Sequence, residues 1–303
     1  MRAAAIVAAL VAMCGVQSTT EPRTRVVMLG TGTPNADPDR FGPAVAVVVD
    51  DASYLVDFGV GVVRRAAAAE RAGVSALGAT RLKRAFATHL HSDHTLGLAD
   101  LILSPWVLDR DAPLQLYGPR GLRAMVTHLV AAYADDIRIR RTGGEPAHKY
   151  DPTVVDVHEI VPGVVYKDER VTVTAFAVSH GAWPQAFGYR FQTADRSVVI
   201  SGDAGPNSHI EDQCRKCDVL IHEAYSEHYT PADMPNWLEY RAKYHTTTAQ
   251  LAEIANKTQP GLLIMYHRGV GSRGNEISDE QYLAEVRRRY EGRVVVGHDL
   301  DVY

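Results

Sequence analysis

The run Thr88-His89-Leu90-His91-Ser92-Asp93-His94 places four metal-type ligands, His89, His91, Asp93 and His94, inside six residues, directly after the strand-like stretch 82–87. Extended backbone brings His89 and His91 to the same side, because side chains two apart share a face. Asp93 and His94 open the next helix, where they address a second ion. Ligation by imidazole and carboxylate together suits zinc, and ligands this dense suit a two-metal hydrolytic site. A solvated His-rich turn is the plain alternative, and the rest of the chain weighs against it.

Three further residues of ligand type recur downstream in matching contexts. His180 follows the alternating apolar stretch 171–178, Asp203 sits in Ser-Gly-Asp after 197–201, and His267 follows 262–265. Alone, each reads as a strand-end histidine or a turn cap. Together, each terminates an apolar strand, which is what a ligand set along one sheet edge requires. The segment 225–244 carries Tyr225, His228, Tyr229, Trp237, Tyr240 and Tyr244, with Pro231 and Pro235 interrupting regular structure. It reads either as an aromatic wall beside the metals or as aromatics packing a loop onto the body. Trp106 and Trp183 are weaker pocket candidates.

The elements that must position these residues are short and alternating. Strands are expected over 25–29, 44–49 and 53–56, then 154–157, 171–178, 186–192, 197–201, 219–221, 262–265 and 293–296. Helical spacing covers 66–71, 95–103, 121–133, 246–256 and 279–289. Two β-rich halves, each carrying helices, predict an α/β fold of four layers, an αββα sandwich. Residues 21–303 are expected to form one domain without repeats or long linkers. The formal net charge of −4 gives no strong field toward nucleic acid or anionic membrane, and the basic runs 138–141 and 287–289 read as solvated faces.

Residues 1–20 carry a separate message. Arg2, the apolar run 3–12 and the small or polar residues 15–20 predict a cleaved secretory signal, too short for stable membrane insertion. Export to the periplasm or exterior follows, with lipid anchoring at Cys14 a minor alternative because Met13 spoils the lipobox. Removing the signal leaves Cys214 and Cys217, with two residues between them. They read equally as a local disulfide or as two unpaired thiols.

Ordered agreement along nearly the whole chain carries a family resemblance. The motifs are Leu29-Gly30-Thr31-Gly32-Thr33-Pro34, Arg40-Phe41-Gly42-Pro43, Val56-Asp57-Phe58-Gly59, the His89 to His94 run and Ser179-His180-Gly181. Ser201-Gly202-Asp203, Ile221-His222-Glu223-Ala224, Tyr244-His245-Thr246-Thr247 and Met265-Tyr266-His267 complete it. The chain resembles the metallo-β-lactamase-fold superfamily and, within it, the ribonuclease Z and arylsulfatase-like branch. The resemblance implies two zinc ions, one on His89, His91 and His180 and the other on Asp93, His94 and His267, with Asp203 bridging. It further implies a catalytic trio of Asp93, His245 and Glu223, in which Glu223 holds His245 to stabilise an oxyanion or protonate a leaving oxygen. His222, alternating with Glu223 on a strand, faces the other way and reads as structural.

Departures from the family narrow the substrate. Ribonuclease Z proteins carry a long arm for transfer RNA between the equivalents of His180 and Asp203, whereas here 203 − 180 = 23 positions leave room for a hairpin only. With the signal, this makes transfer RNA an unlikely partner. Asp203 argues against β-lactam hydrolysis as the main activity, and His91 favours zinc hydrolysis over redox chemistry. The expectation is hydrolysis of a small ester by a metal-bound hydroxide, a phosphodiester first, an arylsulfatase-type sulfate ester next, then a lactone or β-lactam. Some superfamily members are non-catalytic binding subunits, but those lose ligands that this chain keeps. The assembly state is open, a homodimer included.

Overall fold

The computed structural model describes residues 22–146, 148–228, 235–269, 271–272 and 275–303. The signal-like run 1–20, with Cys14, lies outside them, as do Tyr229 and Pro231. Six strands form the first sheet in chain order: β1 (Thr24–Gly30), β2 (Ala44–Val49), β3 (Ala52–Val56), β4 (Arg84–Phe86), β5 (Gln115–Gly118) and β6 (Asp156–Glu159). The helices α1 (Val62–Arg71), α2 (Ser92–Thr95), α3 (Leu98–Val107), α4 (Leu122–Ala132) and α5 (Ala134–Thr142) belong to this half.

The second half supplies β7 (Gly163–Lys167), β8 (Thr172–Ala177), β9 (Phe187–Gln192), β10 (Ser197–Ile200), α6 (Ser208–Gln213) and β11 (Val219–Glu223). It continues with α7 (Pro235–Tyr244), α8 (Thr248–Thr258), β12 (Leu262–Tyr266), the two-residue strands β13 (Gly271–Ser272) and β14 (Asn275–Glu276), α9 (Asp279–Arg287) and β15 (Val294–Val296). The second sheet runs β15-β12-β11-β10-β9-β8-β7.

Three separate cores explain the layering. Strand β2 is valine-rich and buried throughout, and β1 is buried except at Arg25, as expected of strands covered on both faces. Val27 and Leu29 join Val62, Ala66, Leu101 and Leu122 in a core between the first sheet and its helices. Their neighbours Val26 and Met28 turn the other way, to meet Tyr189, Val198, Ile200 and Ile264 between the two sheets. Val199, Leu263 and Met265 point outward again, to Leu251, Ile254, Tyr282 and Val286 of α8 and α9. The result is helix on sheet on sheet on helix, the predicted αββα sandwich. Among the described residues no helix is long and apolar enough to cross a membrane.

The boundaries differ from expectation in instructive places. Helix α1 starts at Val62 rather than 66 because its β-branched pair packs inward. Strands β5 and β7 and helices α5 and α6 have runs too short or too polar to stand out. Helix α7 begins at Pro235, read from sequence as an interruption. Proline in a first turn has no hydrogen bond to lose and sets φ for the helix. Cys214 and Cys217 are joined as a disulfide, both buried.

Candidate metal centre

Parallel strand directions bring the ligand-type residues to one edge. β3 and β4 run parallel, as do β10, β11 and β12. Residues just past their C-terminal ends therefore gather: Asp57 after β3, His89 and His91 after β4, Asp203 after β10, His267 after β12, with Glu223 the last residue of β11. His180 lies beyond β8, and Asp93 and His94 stand on α2.

Two groups result. His89, His91, His180 and Asp203 form one, and Asp93, His94 and His267 the other, the ligand atoms of each lying within 4.8 Å of one another. All seven residues singled out from sequence as ligands are thus brought together. In the first group His91 Nδ1 is 2.9 Å from His89 Nε2 and 3.1 Å from His180 Nε2. Asp203 Oδ2 is 3.9 Å from each of those two Nε2 atoms. In the second, His94 Nε2 is 3.2 Å from His267 Nε2 and 3.6 Å from Asp93 Oδ2. His267 Nε2 is 3.1 Å from the same Asp93 oxygen. Asp203 Oδ1 approaches this group, 3.3 Å from His94 Nε2.

These separations fit a metal ion in each group. Ligand atoms about 2.0–2.1 Å from a tetrahedral zinc stand about 3.4 Å apart, in the middle of the observed range. Asp203 Oδ1 is buried without a hydrogen-bond partner, which is costly for a carboxylate unless a cation satisfies it.

The surroundings aim the ligands. His94 Nδ1 donates to Asp57 Oδ2 at 2.8 Å, and Asp57 also accepts from the Thr88 amide and hydroxyl. His89 Nδ1 donates to Thr88 Oγ1 at 3.0 Å. His180 Nδ1 donates to the Tyr244 carbonyl at 2.8 Å. Each contact leaves Nε2 as the atom facing the group. His91 is turned the other way: the Trp183 indole N–H lies 2.7 Å from its Nε2, so Nδ1 faces inward. Asp57 appeared in sequence only as part of a shared motif, and its partner role was not anticipated. A carboxylate ending a strand one motif upstream of a ligand histidine is the signal that was present.

Burial holds His89 and His180 below the ordinary histidine range and His91 down at about 4, so these imidazoles are neutral near pH 7. His94 goes the other way. Burial opposes its charge, but the Asp203 and Asp57 carboxylates outweigh that and hold it protonated without a metal. Burial likewise disfavours the Asp203 anion, but the surrounding histidines, His267 and His94 first, keep it ionised.

Beside the two groups stands the predicted pair. His245 Nδ1 is 3.0 Å from Glu223 Oε1, and Glu223 also accepts from the Ala204 amide. Burial lowers the His245 pKa, and the charge and hydrogen bond of Glu223 more than offset this, raising it to about 9. Helix α8 fixes the position: Thr247 and Gln250 form a reciprocal cap at its start, and Tyr225 bridges the Thr246 and Thr248 backbones. His222 is buried on the opposite face, as expected.

The aromatic expectation is met in part. Tyr240 and Tyr244 stack at 4.2 Å, and Trp183 meets the His91 ring edge-on at 5.0 Å. Trp106 is instead a core residue whose indole donates to the Tyr150 carbonyl. The interval from His180 to Asp203 is filled by the antiparallel pair β9 and β10 within the sheet, which agrees with the expected hairpin.

Comparison with known proteins agrees with the geometry. A profile described as the beta-lactamase superfamily domain matches residues 53–268. Ribonuclease Z of Mycobacterium bovis (strain BCG / Pasteur 1173P2) is 32% identical over 283 residues, covering 91% of this chain and 96% of that one. Ribonuclease Z of Mycobacterium sp. (strain KMS) is 34% identical over 247 residues, 80% and 83% of the two chains. The metallo-beta-lactamase fold protein YhfI from Bacillus subtilis superposes with TM-score 0.68 at 16% identity, covering 92% and 98%. Human tRNase Z, short form, does so with TM-score 0.64 at 24% identity, again covering 92% and 98%. The names of these relatives weigh against setting transfer RNA aside. Profile, relatives and converging ligand residues agree: the chain belongs to the metallo-β-lactamase superfamily of hydrolases.

Proposed function

We propose that this protein is a binuclear zinc-dependent phosphodiesterase acting on a small ester. The observation that carries the reading is the buried Asp203 carboxylate, which offers one oxygen to each group of ligands, with the Glu223-His245 pair alongside. His89, His91, His180 and Asp203 would hold one zinc, and Asp93, His94, His267 and Asp203 the other. Two zinc ions there supply Lewis acidity and ready a water molecule at neutral pH. The protein's own residues do the rest. Asp203 offsets the repulsion of two dications, and Asp57 and the Tyr244 carbonyl fix the imidazole orientations. His245, protonated at neutral pH and oriented by Glu223, gives its proton to the departing oxygen. Export after removal of residues 1–20 belongs to the same proposal and rests on their apolar pattern.

A second reading is an RNA phosphodiester, favoured by relatives named ribonuclease Z across nine-tenths of the chain. The β9-β10 pair leaves no protruding arm between His180 and Asp203 to grip a large RNA, so the small ester is preferred. The deciding experiment combines elemental analysis with turnover of bis-nitrophenyl phosphate, nitrophenyl sulfate, a lactone, a β-lactam and a transfer RNA precursor with a 3′ trailer. About two zinc ions and fastest turnover of the small diester are expected. Absence of a stoichiometric transition metal, or turnover confined to another substrate, overturns the reading.

A further inference from the structure

We propose that the cleft between the 179–182 turn and helix α7 is the subsite for the leaving group, and that it takes an uncharged planar ring, such as an aryl alcohol or a nucleoside. The inference rests on the phosphodiesterase reading and adds the chemistry of one half of the substrate.

The cleft has a volume of about 670 Å³, and Ser179 and Gly181, the chain neighbours of His180, form one of its walls. Its other wall is Tyr240 and Tyr244, one turn apart on α7. Tyr244 ties the two walls together. Its carbonyl accepts from His180 Nδ1 and its hydroxyl accepts from the Ala182 amide at 3.1 Å. Its ring lies so close over Gly181 that a Cβ there would sit 2.0 Å from a ring carbon, and Gly181 holds φ +54. A side chain at position 181 would displace this ring.

Tyr240 stacks on Tyr244 with its ring tilted only 18°, and it remains half-buried. A ring wall fixed from behind in this way suits stacking with a planar group. The charges at the rim cancel, since Lys243 and Glu239 pair with each other at 2.7 Å. That pairing leaves the rim poorly suited to a polyanion, which calls for uncompensated cations. The Tyr240 ring centroid is 6.0 Å from that of His245, the proton donor. A group entering this cleft therefore lies on the side where the proton is delivered, which makes it the part that leaves.

The test uses two methyl phosphodiesters whose leaving alcohols have matched basicity, 2-(2-naphthyl)ethanol and 1-butanol, with zinc-loaded protein. Wild type should favour the naphthyl ester in kcat/KM, and Tyr240→Ala should lower that preference roughly tenfold through KM, while Tyr240→Phe keeps it. Saturation-transfer NMR should show free 2-(2-naphthyl)ethanol bound to wild type and to Tyr240→Phe but not to Tyr240→Ala. Equal preference in wild type and Tyr240→Ala, or no saturation transfer to the alcohol, overturns the proposal. Turnover of neither ester, with the alcohol still bound through Tyr240, overturns the phosphodiesterase reading and retains the ring subsite.

Discussion

Glu223 holds His245 from behind: its Oε1 lies 3.0 Å from His245 Nδ1 while also accepting the Ala204 amide, and it is buried where His245 is not fully so. The pair leaves His245 Nε2 as the free nitrogen. A fixed carboxylate behind a partly exposed imidazole keeps the ring cationic and sets its direction, as a proton donor requires.

The first prediction concerns removal of this donor. His245→Ala should retain both metals, since neither ligand group contains it, and should lower kcat by roughly 10²-fold. The loss should be larger for an alkyl than for an activated aryl diester, whose leaving oxygen needs less protonation. Zinc content and kcat on the matched pair decide it. Full activity on both esters would reduce His245 to a helix-start residue.

The second prediction is a pH dependence. With its pKa raised to about 9 in the metal-free protein, His245 is protonated through neutral pH, and the acid function proposed for it should be lost as pH rises through that range. Its contribution to fold stability has the same sign: present in full below about 6.5, the ordinary histidine value, and lost as pH rises toward 9. Glu223→Gln removes the charge that opposes the burial penalty, so the alkaline limb of kcat should move to lower pH by a unit or more. A limb in the same place in both proteins would mean that another group sets it.

The clustering of the seven ligand-type residues was legible in sequence because His89, His91, His180, Asp203 and His267 follow short apolar strands, while Asp93 and His94 share one local run with the first two. The fold was legible for a related reason: strands such as β2 and β12 are uniformly apolar, as burial between layers demands. What escaped depends on contacts distant in sequence. Asp57 meets His94 across 37 positions and Trp183 meets His91 across 92. Tyr244 acts on His180 through a backbone carbonyl, which no residue type announces. Helix α7 escaped because proline was read as a break rather than as a first-turn residue.

A third prediction tests the partner of His94. Asp57→Asn keeps the size of the side chain but not its charge, and the hydrogen bond to His94 Nδ1 loses its charge assistance. Zinc affinity should fall about 10- to 100-fold, without loss of the folded circular-dichroism spectrum. His91→Ala, which deletes a ligand outright, should lose most of the metal and essentially all hydrolysis. Competition with a chromophoric chelator measures both, and unchanged affinity in Asp57→Asn would make Asp57 a strand-end cap alone.

The last prediction follows from the tautomer of His91. Its Nε2 lies 2.7 Å from the Trp183 indole N–H and accepts that hydrogen, so Nδ1 carries the proton in the metal-free protein. A metal at Nδ1 takes the place of that proton, and the neutral ring then carries its hydrogen on Nε2. Two N–H groups would face each other across this contact, so zinc binding should break it. The indole ¹⁵N-¹H resonance that disappears in Trp183→Phe should therefore shift upfield when zinc is added to wild type, while those of Trp106 and Trp237 move less. Because the hydrogen bond stabilises only the metal-free form, by about 1 kcal/mol, Trp183→Phe should bind zinc several-fold more tightly. An unmoved Trp183 resonance, or weaker zinc binding in Trp183→Phe, would show that the indole supports the loaded site instead of competing with it.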